Sequence, residues 1–332
     1  MRSTRSLLLP LAVTVTLIVA ACGSNQGDNT LTLYSGRSEE LVQPLIDQFE
    51  EATGIEIDVR YGESPELAAT LLAEGEETEA DVFYAQDPAS LGSVAALLAE
   101  LPNTILSSVD ERYRDRDNRW VGTSGRVRSF VYHTGTDIPL PQTIDDVTNP
   151  AWASQIGVAP TNGSFLAFVA AMILERGEEA TSEWLEALAA NDPVDFPANS
   201  PIVAAVDARQ IDGGLVNHYY LLRLRAEGAG ADAENHFIPA GDVGSLVMPA
   251  GAGILASTSN LETARRFVEF LLSRQAQEFF ATETFEYPLV EGVEQAEGLP
   301  PLSEIVAPDI DLSALSGVLD RATELVAEAG LV

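Results

Sequence analysis

The chain has 332 residues, 46% of them hydrophobic and 21% charged, with 51 acidic residues against 18 basic ones and a formal net charge of −33. That hydrophobic content is globular, and so acidic a balance argues against DNA, RNA or anionic lipid faces as partners, which would be repelled. The charge is spread over the whole chain, so it reads first as a solvating surface and only second as a lure for a cation.

Arg2 and Arg5 precede an apolar run from Ser6 to Val19, which is too short for a membrane span and has the layout of a signal peptide. The run ends in Val19-Ala20-Ala21-Cys22-Gly23, which resembles the bacterial lipoprotein cleavage box. Cys22, the only cysteine, is therefore expected to carry a lipid after removal of residues 1–21. The alternative is a free thiol behind an ordinary export signal. Residues 22–29 are small and polar and read as a tether. No later stretch is apolar and long enough to span a bilayer. Roughly 310 residues would remain, enough for two lobes with their own cores.

Leu31–Tyr34 reads as a first strand, followed by a helix from Ser38 or Glu39 to Ala52 with Leu41, Leu45, Ile46 and Phe49 on one face. Ile55–Tyr61 is a second strand, Pro65–Glu74 a helix stopped by Gly75, Asp81–Tyr84 a buried third strand, and Pro88–Leu98 a helix. This alternation predicts a parallel α/β sheet. Beyond a polar loop at 114–118, Trp120–Gly122 and Val127–His133 read as two strands, the second a candidate to run between lobes. Loop and short helix fill 139–150. Gln155–Ala159 is a strand, Phe165–Glu175 and Glu179–Asn191 are helices, and another helix begins at Ile202. Gly213–Val216 is a strand and His218–Glu227 a helix. Leu246–Ala250 and Gly253–Leu255 are strand-like, Leu261–Leu272 and Gln275–Thr282 are helices, and Leu312–Gly330 is one or two more. In such folds ligands sit outside the carboxyl ends of strands.

The sequence contains no G-x-S-x-G, H-E-x-x-H or P-loop signature, and its three histidines, His133, His218 and His236, lack metal-ligand spacing. No enzyme class is nominated. Tyr219-Tyr220 opens a predicted helix. Phenolates are hard oxygen donors suited to a trivalent iron centre, although a bare tyrosine pair is more often core packing. Asn162-Gly163-Ser164 precedes a helix whose N-terminal N–H groups could hold an anion, or it is a simple cap. Asn199 and Asn217 could join it, or serve turns. Arg126 and Arg128, close together in a chain poor in cations, could pair with carboxylates or bind that anion.

Taken in order, YSGRSEE (34–40), ADVFYAQ (80–86), WVGTSGRVRSFVY (120–132), PAWASQIGVAPTNGSF (150–165), ANS (198–200), LVNHYY (215–220) and EYPLV (286–290) resemble the ferric-ion-binding proteins of bacterial ABC importers. The resemblance runs over about 31–290. It implies a type II periplasmic-binding-protein fold, α/β and two-lobed, with a mixed sheet flanked by helices in each lobe and the ligand in the cleft between them. Residues 30–125 with 248–298 are expected to form one lobe, 126–247 the other, and 299–332 a helical region packed on the second. By the resemblance, Tyr219 and Tyr220 hold Fe³⁺, with Gln86 a further candidate. Asn162, Gly163, Ser164, Asn199, Asn217 and Arg126 surround a synergistic carbonate or phosphate, and Ser38 and Asp87 line the cleft.

Three positions depart from the family pattern. Ser38 stands where one branch has a histidine, Gln86 where it has a glutamate, and Phe165 where another branch has a third tyrosine. An exogenous anion, water, Gln86 or a carboxylate such as Asp87 or Glu63 must then complete the iron shell, or iron arrives with a small chelator. The implied partners are an ABC permease with its ATPase and a membrane reached through the lipid, with the protein a monomer outside the cytoplasm. Competing readings are the same fold carrying a phosphonate, polyamine or thiamine-like solute, and, further off, an enzyme or adhesion lipoprotein.

Overall fold

The computed structural model describes residues 30–332; Cys22 and the signal and tether segments expected at 1–29 lie outside the described residues. Strand β1 (Thr30–Ser35) is followed by α1 (Glu39–Thr53), β2 (Glu56–Tyr61), α2 (Ser64–Glu74), β3 (Val82–Ala85), α3 (Pro88–Ser93) and a single turn, α4 (Asn103–Leu106). β1 pairs in parallel with both β2 and β3, as the β-α-β alternation predicts. The expected helix over 88–98 breaks at Val94 into a separate 3-10 turn at 95–97. Gly92, just before the break, is crowded: a Cβ there would stand 2.7 Å from the Ser313 carbonyl.

The main departure from sequence expectation is β4 (Trp120–His133), one 14-residue strand where two were expected. Its Gly122-Thr123-Ser124-Gly125 centre has weak strand propensity, and the register shifts between Gly122 and Ser124. The strand persists because partners hold it on both flanks. Its first half pairs antiparallel with the later strand β9, and its second half with β7 and β8.

Next come β5 (Ile156–Val158), α5 (Gly163–Arg176), α6 (Glu178–Ala190), β6 (Val194–Asp195), α7 (Asn199–Asp207), β7 (Gly213–Asn217), α8 (Tyr219–Ala226) and β8 (Ala233–His236). β9 (Val247–Ile254) merges the two strand-like runs expected there, and α9 (Leu261–Leu271), α10 (Arg274–Thr282), β10 (Tyr287–Pro288) and α11 (Leu319–Glu328) complete the chain. The strand order is β2-β1-β3-β9-β4-β7-β5-β6, with β8 and β10 also on β4. The mixed α/β architecture follows the resemblance. The boundaries expected at 125/126 and 247/248 fall inside β4 and at the start of β9, the two strands through which the chain passes from one half of the sheet to the other.

The C-terminal region touches both halves. α11 packs on α5 and α6, whereas the 3-10 turns at 312–317 pack on α3 as well as on α5. Ser313 Oγ also donates to Asp115 at 2.6 Å.

A buried ion cluster sits at the middle of β4. Glu286 takes Arg37 from the β1–α1 turn at 2.7 Å and Ser124 from β4 at 2.9 Å, with Arg126 Nε at 3.8 Å. All three charged side chains are about 2–3% exposed. Burial alone would raise the Glu286 pKa, but Arg37, Arg126 and the Ser124 hydroxyl together hold it below the usual carboxylate range. Truncating one partner of such a cluster strands a buried charge. Glu286→Ala is therefore expected to cost about 3–5 kcal/mol, read as a lower urea midpoint at unchanged slope.

Candidate functional site

A cavity of about 470 Å³ opens between the two halves of the sheet. Its walls come from the carboxyl ends of the parallel strands, where short turns lead into helix N-termini. The β2–α2 turn supplies Glu63 and Ser64, and the β3–α3 turn supplies Gln86 and Asp87. Across the cavity, the β5–α5 turn supplies Thr161, Asn162, Gly163 and Ser164, β7 ends in Asn217, and the first turn of α8 supplies Tyr220. Leu246 and Met248, at the start of β9, also line it, as do Leu319, Asp320 and Thr323 of α11. The first-half rim is tightly built: Ser64 Oγ accepts the Gln86 N–H at 2.8 Å, and a Cβ on Gly36 would lie 2.0 Å from that hydroxyl oxygen.

The second-half wall has the form of an anion cradle. Asn162 Oδ1 accepts the Ser164 N–H at 3.0 Å and caps α5, and it also accepts the Ser164 hydroxyl at 2.6 Å. Asn199, 1% exposed, donates to Asn162 Oδ1 and Ser164 Oγ at 3.1 Å each. It is not among the cavity-lining residues but braces the turn that is. A Cβ on Gly163 would meet nothing within 4 Å, because the space beside it is the cavity.

Arg126 and Arg128 are both buried against the cavity but differ in their partners. Arg126 is committed to Glu286 and to the Gln86 carbonyl. Arg128 has no carboxylate. It makes long contacts to Ser164 Oγ at 3.5 Å and the Leu215 carbonyl at 3.3 Å, its Nε, like that of Arg126, has no hydrogen-bond partner, and its guanidinium lies over the rings of Phe165 and Phe168. Burial pushes its pKa down to about 9, with Tyr220 pulling weakly the other way. A buried cation without a counter-charge is costly, and an anion entering between it and the α5 N-terminus would compensate it. Among the described residues, Arg128 rather than Arg126 is thus the cation of this wall without a counter-charge. The sequence shows both arginines at this place but cannot divide the roles.

The tyrosines are stacked, ring centroids 4.2 Å apart at 30°. Tyr220 lines the cavity, while Tyr219 lies beneath it, 7% exposed. Burial and then the neighbouring Tyr220 hold the Tyr219 phenol well above its ordinary value, with Arg126 pulling the other way. The base of the pair is fixed by His218, whose Nδ1 accepts the Val127 N–H at 3.1 Å and whose Nε2 faces the Phe285 carbonyl at 2.8 Å. These partners assign the neutral ring with its proton on Nε2. Ser38 is exposed at the start of α1 and is not among the cavity-lining residues. Phe165 is buried in the core beside Phe168, with ring centroids 5.9 Å apart.

The family profile described as bacterial extracellular solute-binding protein matches residues 31–286. The chain is 32% identical to the Fe(3+)-binding periplasmic protein of Serratia marcescens, over 98% of each chain. It is also 32% identical to the major ferric iron-binding protein of Neisseria meningitidis serogroup B, over 91% of this chain and 93% of that one. Among solved structures, iron-bound HitA of Pseudomonas aeruginosa superposes with a TM-score of 0.83 at 30% identity, covering 91% of this chain and 99% of that chain.

Two outcomes are expected from this geometry. Arg128→Met removes a desolvated, unpaired charge while keeping apolar contact. It should leave the thermal midpoint unchanged or raise it, by the equivalent of about 1–3 kcal/mol, and should abolish stabilisation by added phosphate or carbonate. Burial also depresses His218 to about 4, against 6.5 in an unfolded chain. Its contribution is complete above the unfolded value and is lost as pH falls through the folded one. It amounts to about 3 kcal/mol at most, and equilibrium unfolding between pH 7 and 4 should show that slope flattened in His218→Gln.

Proposed function

The chain belongs to the bacterial extracellular solute-binding proteins, and from that premise we propose that its solute is ferric iron, captured with a synergistic anion in the cavity between the lobes. The observation that carries the reading is the stacked Tyr219–Tyr220 pair on the same cavity wall as an anion cradle with an uncompensated Arg128. Phenolates bind a hard trivalent cation, and an anion held by Arg128, Asn162 to Ser164 and Asn217 would bring further oxygen donors. The naming of relatives at 32% identity for ferric iron supports the same solute.

Tyr220 meets iron first, because it already faces the cavity. Tyr219 follows by turning out from beneath it. Iron must displace a proton from each phenol, so binding releases protons and weakens as pH falls. Closure of the lobes about β4 and β9 then excludes water. A membrane permease with its ATPase accepts the loaded protein and reopens it; the solute is carried, with no bond of its own made or broken. Export as a lipoprotein anchored through Cys22, acting as a monomer at the outer face of the membrane, completes the reading and rests on the cleavage-box sequence.

A phosphonate reading would use the same cradle but leave the tyrosine pair without a task. Titration with ferric nitrilotriacetate separates the two. A visible tyrosinate-to-iron charge-transfer band should grow to one equivalent and disappear in the Tyr219→Phe/Tyr220→Phe double variant. Absence of the band in the wild-type protein would sink the iron reading.

A further inference from the structure

Two phenolates and an anion leave a six-coordinate ferric ion short of donors, and the positions at which the resemblance implies histidine and glutamate in one branch of the family hold Ser38 and Gln86. Both tyrosines and the whole anion cradle come from the second half of the sheet. Closing the lobes over iron has a driving force only if the first half also supplies a donor, because a ligand favours the state in which it makes additional contacts.

The first-half wall consists of Glu63, Ser64, Pro65, Glu66, Gln86 and Asp87. Most of these are committed or poor donors. Ser64 Oγ bridges the Gly36 carbonyl and the Gln86 N–H at 3.4 and 2.8 Å. Asp87 uses both carboxylate oxygens on Ser90, one on its N–H at 2.8 Å and one on its hydroxyl at 3.0 Å, and so caps α3. Taking Asp87 for iron would cost that cap, about 1 kcal/mol. Gln86 offers a neutral amide, a weaker donor to Fe³⁺ than a carboxylate. Glu66 lies within the first turn of α2, where its charge complements the helix dipole.

Glu63 differs from all of them. It is the extended residue before α2, at φ −70° and ψ 140°, and its side chain caps nothing. No hydrogen bond or ion pair engages its carboxylate among the described residues, and it sits on the strand-end turn rather than on the helix. Nor do the described residues contain any group of three or more His, Cys, Asp or Glu side chains able to hold a metal between them. A donor from this wall therefore acts as a single carboxylate joining the tyrosinates, not as part of an acidic cage.

Resting on the ferric reading, we infer that Glu63 is the first-lobe ligand that reaches iron on closure and takes the place of the missing histidine and glutamate. This gives the chain a shell of two phenolates, one carboxylate from the β2–α2 turn and the oxygens of the anion.

The test is ferric nitrilotriacetate titration of Glu63→Gln, Glu63→Asp and Glu66→Gln beside the wild-type protein, followed by chelator competition. Glu63→Gln should keep the charge-transfer band, since both phenolates remain. The band should move to longer wavelength, because iron that has lost an anionic donor accepts charge from tyrosinate more readily. Iron should be surrendered at about tenfold lower competitor concentration or less, and Glu63→Asp should recover part of the loss. An unmoved band and wild-type retention in Glu63→Gln would overturn the inference while leaving the tyrosine reading intact. The same shift in Glu66→Gln without one in Glu63→Gln would overturn it in favour of a donor on the helix. No band in the wild-type protein would instead remove the ferric reading on which it rests.

Discussion

The structure turns on one buried carboxylate. Glu286 draws Arg37 from the first turn of the fold and Arg126 from the middle of the long crossing strand into a dry cluster at the base of the site. Desolvating these charges is expensive, and the cost is met only while all of them are present together with the Ser124 hydroxyl. Two further features depend on this. The β1–α1 turn is fixed against β4, so the first-half rim has a defined position. Arg126 faces that carboxylate, and this leaves Arg128, two residues along and facing the same cavity, without a counter-charge among the described residues.

Arg128 and the tyrosines then form a site that is incomplete by itself. The guanidinium is stranded among Phe165, Phe168 and the α5 turn, and the Tyr219 phenol is kept protonated by burial. The stranded charge is unfavourable and an anion would offset it, whereas a metal would have to displace the phenol proton. Groups that would be liabilities in an ordinary core are here held in place by His218 and Asn199, side chains that do not line the cavity but hold the residues that do.

Much of this was legible in the sequence, for identifiable reasons. Asn162-Gly163-Ser164 and Tyr219-Tyr220 are local patterns, and local patterns sit where strand–helix alternation puts them. The pairing of Arg37 with Glu286 spans 249 residues and leaves no trace in either neighbourhood. The division of labour between Arg126 and Arg128 follows from that pairing and was hidden with it. β4 reads as two strands because its glycine- and serine-rich centre lacks strand propensity; its continuity comes from β9, β7, β8 and β10 lying alongside. β6 and β8 are too short or too polar to read as strands at all. Asn199 and Tyr219 lie beside the cavity without lining it, because whether a side chain lines a cavity or supports its lining is decided by packing.

The C-terminal segment adds a mechanical constraint. Two neighbouring strands joining two bodies form a flexure that bends readily and also twists. Here the turns at 312–317 rest on α3 in one half while α11 rests on α5 and α6 in the other, so a third crossing accompanies β4 and β9. A third support suppresses the twisting freedom and leaves bending as the soft coordinate. The closure proposed above would then run like the covers of a bound book and bring the same donors together each time.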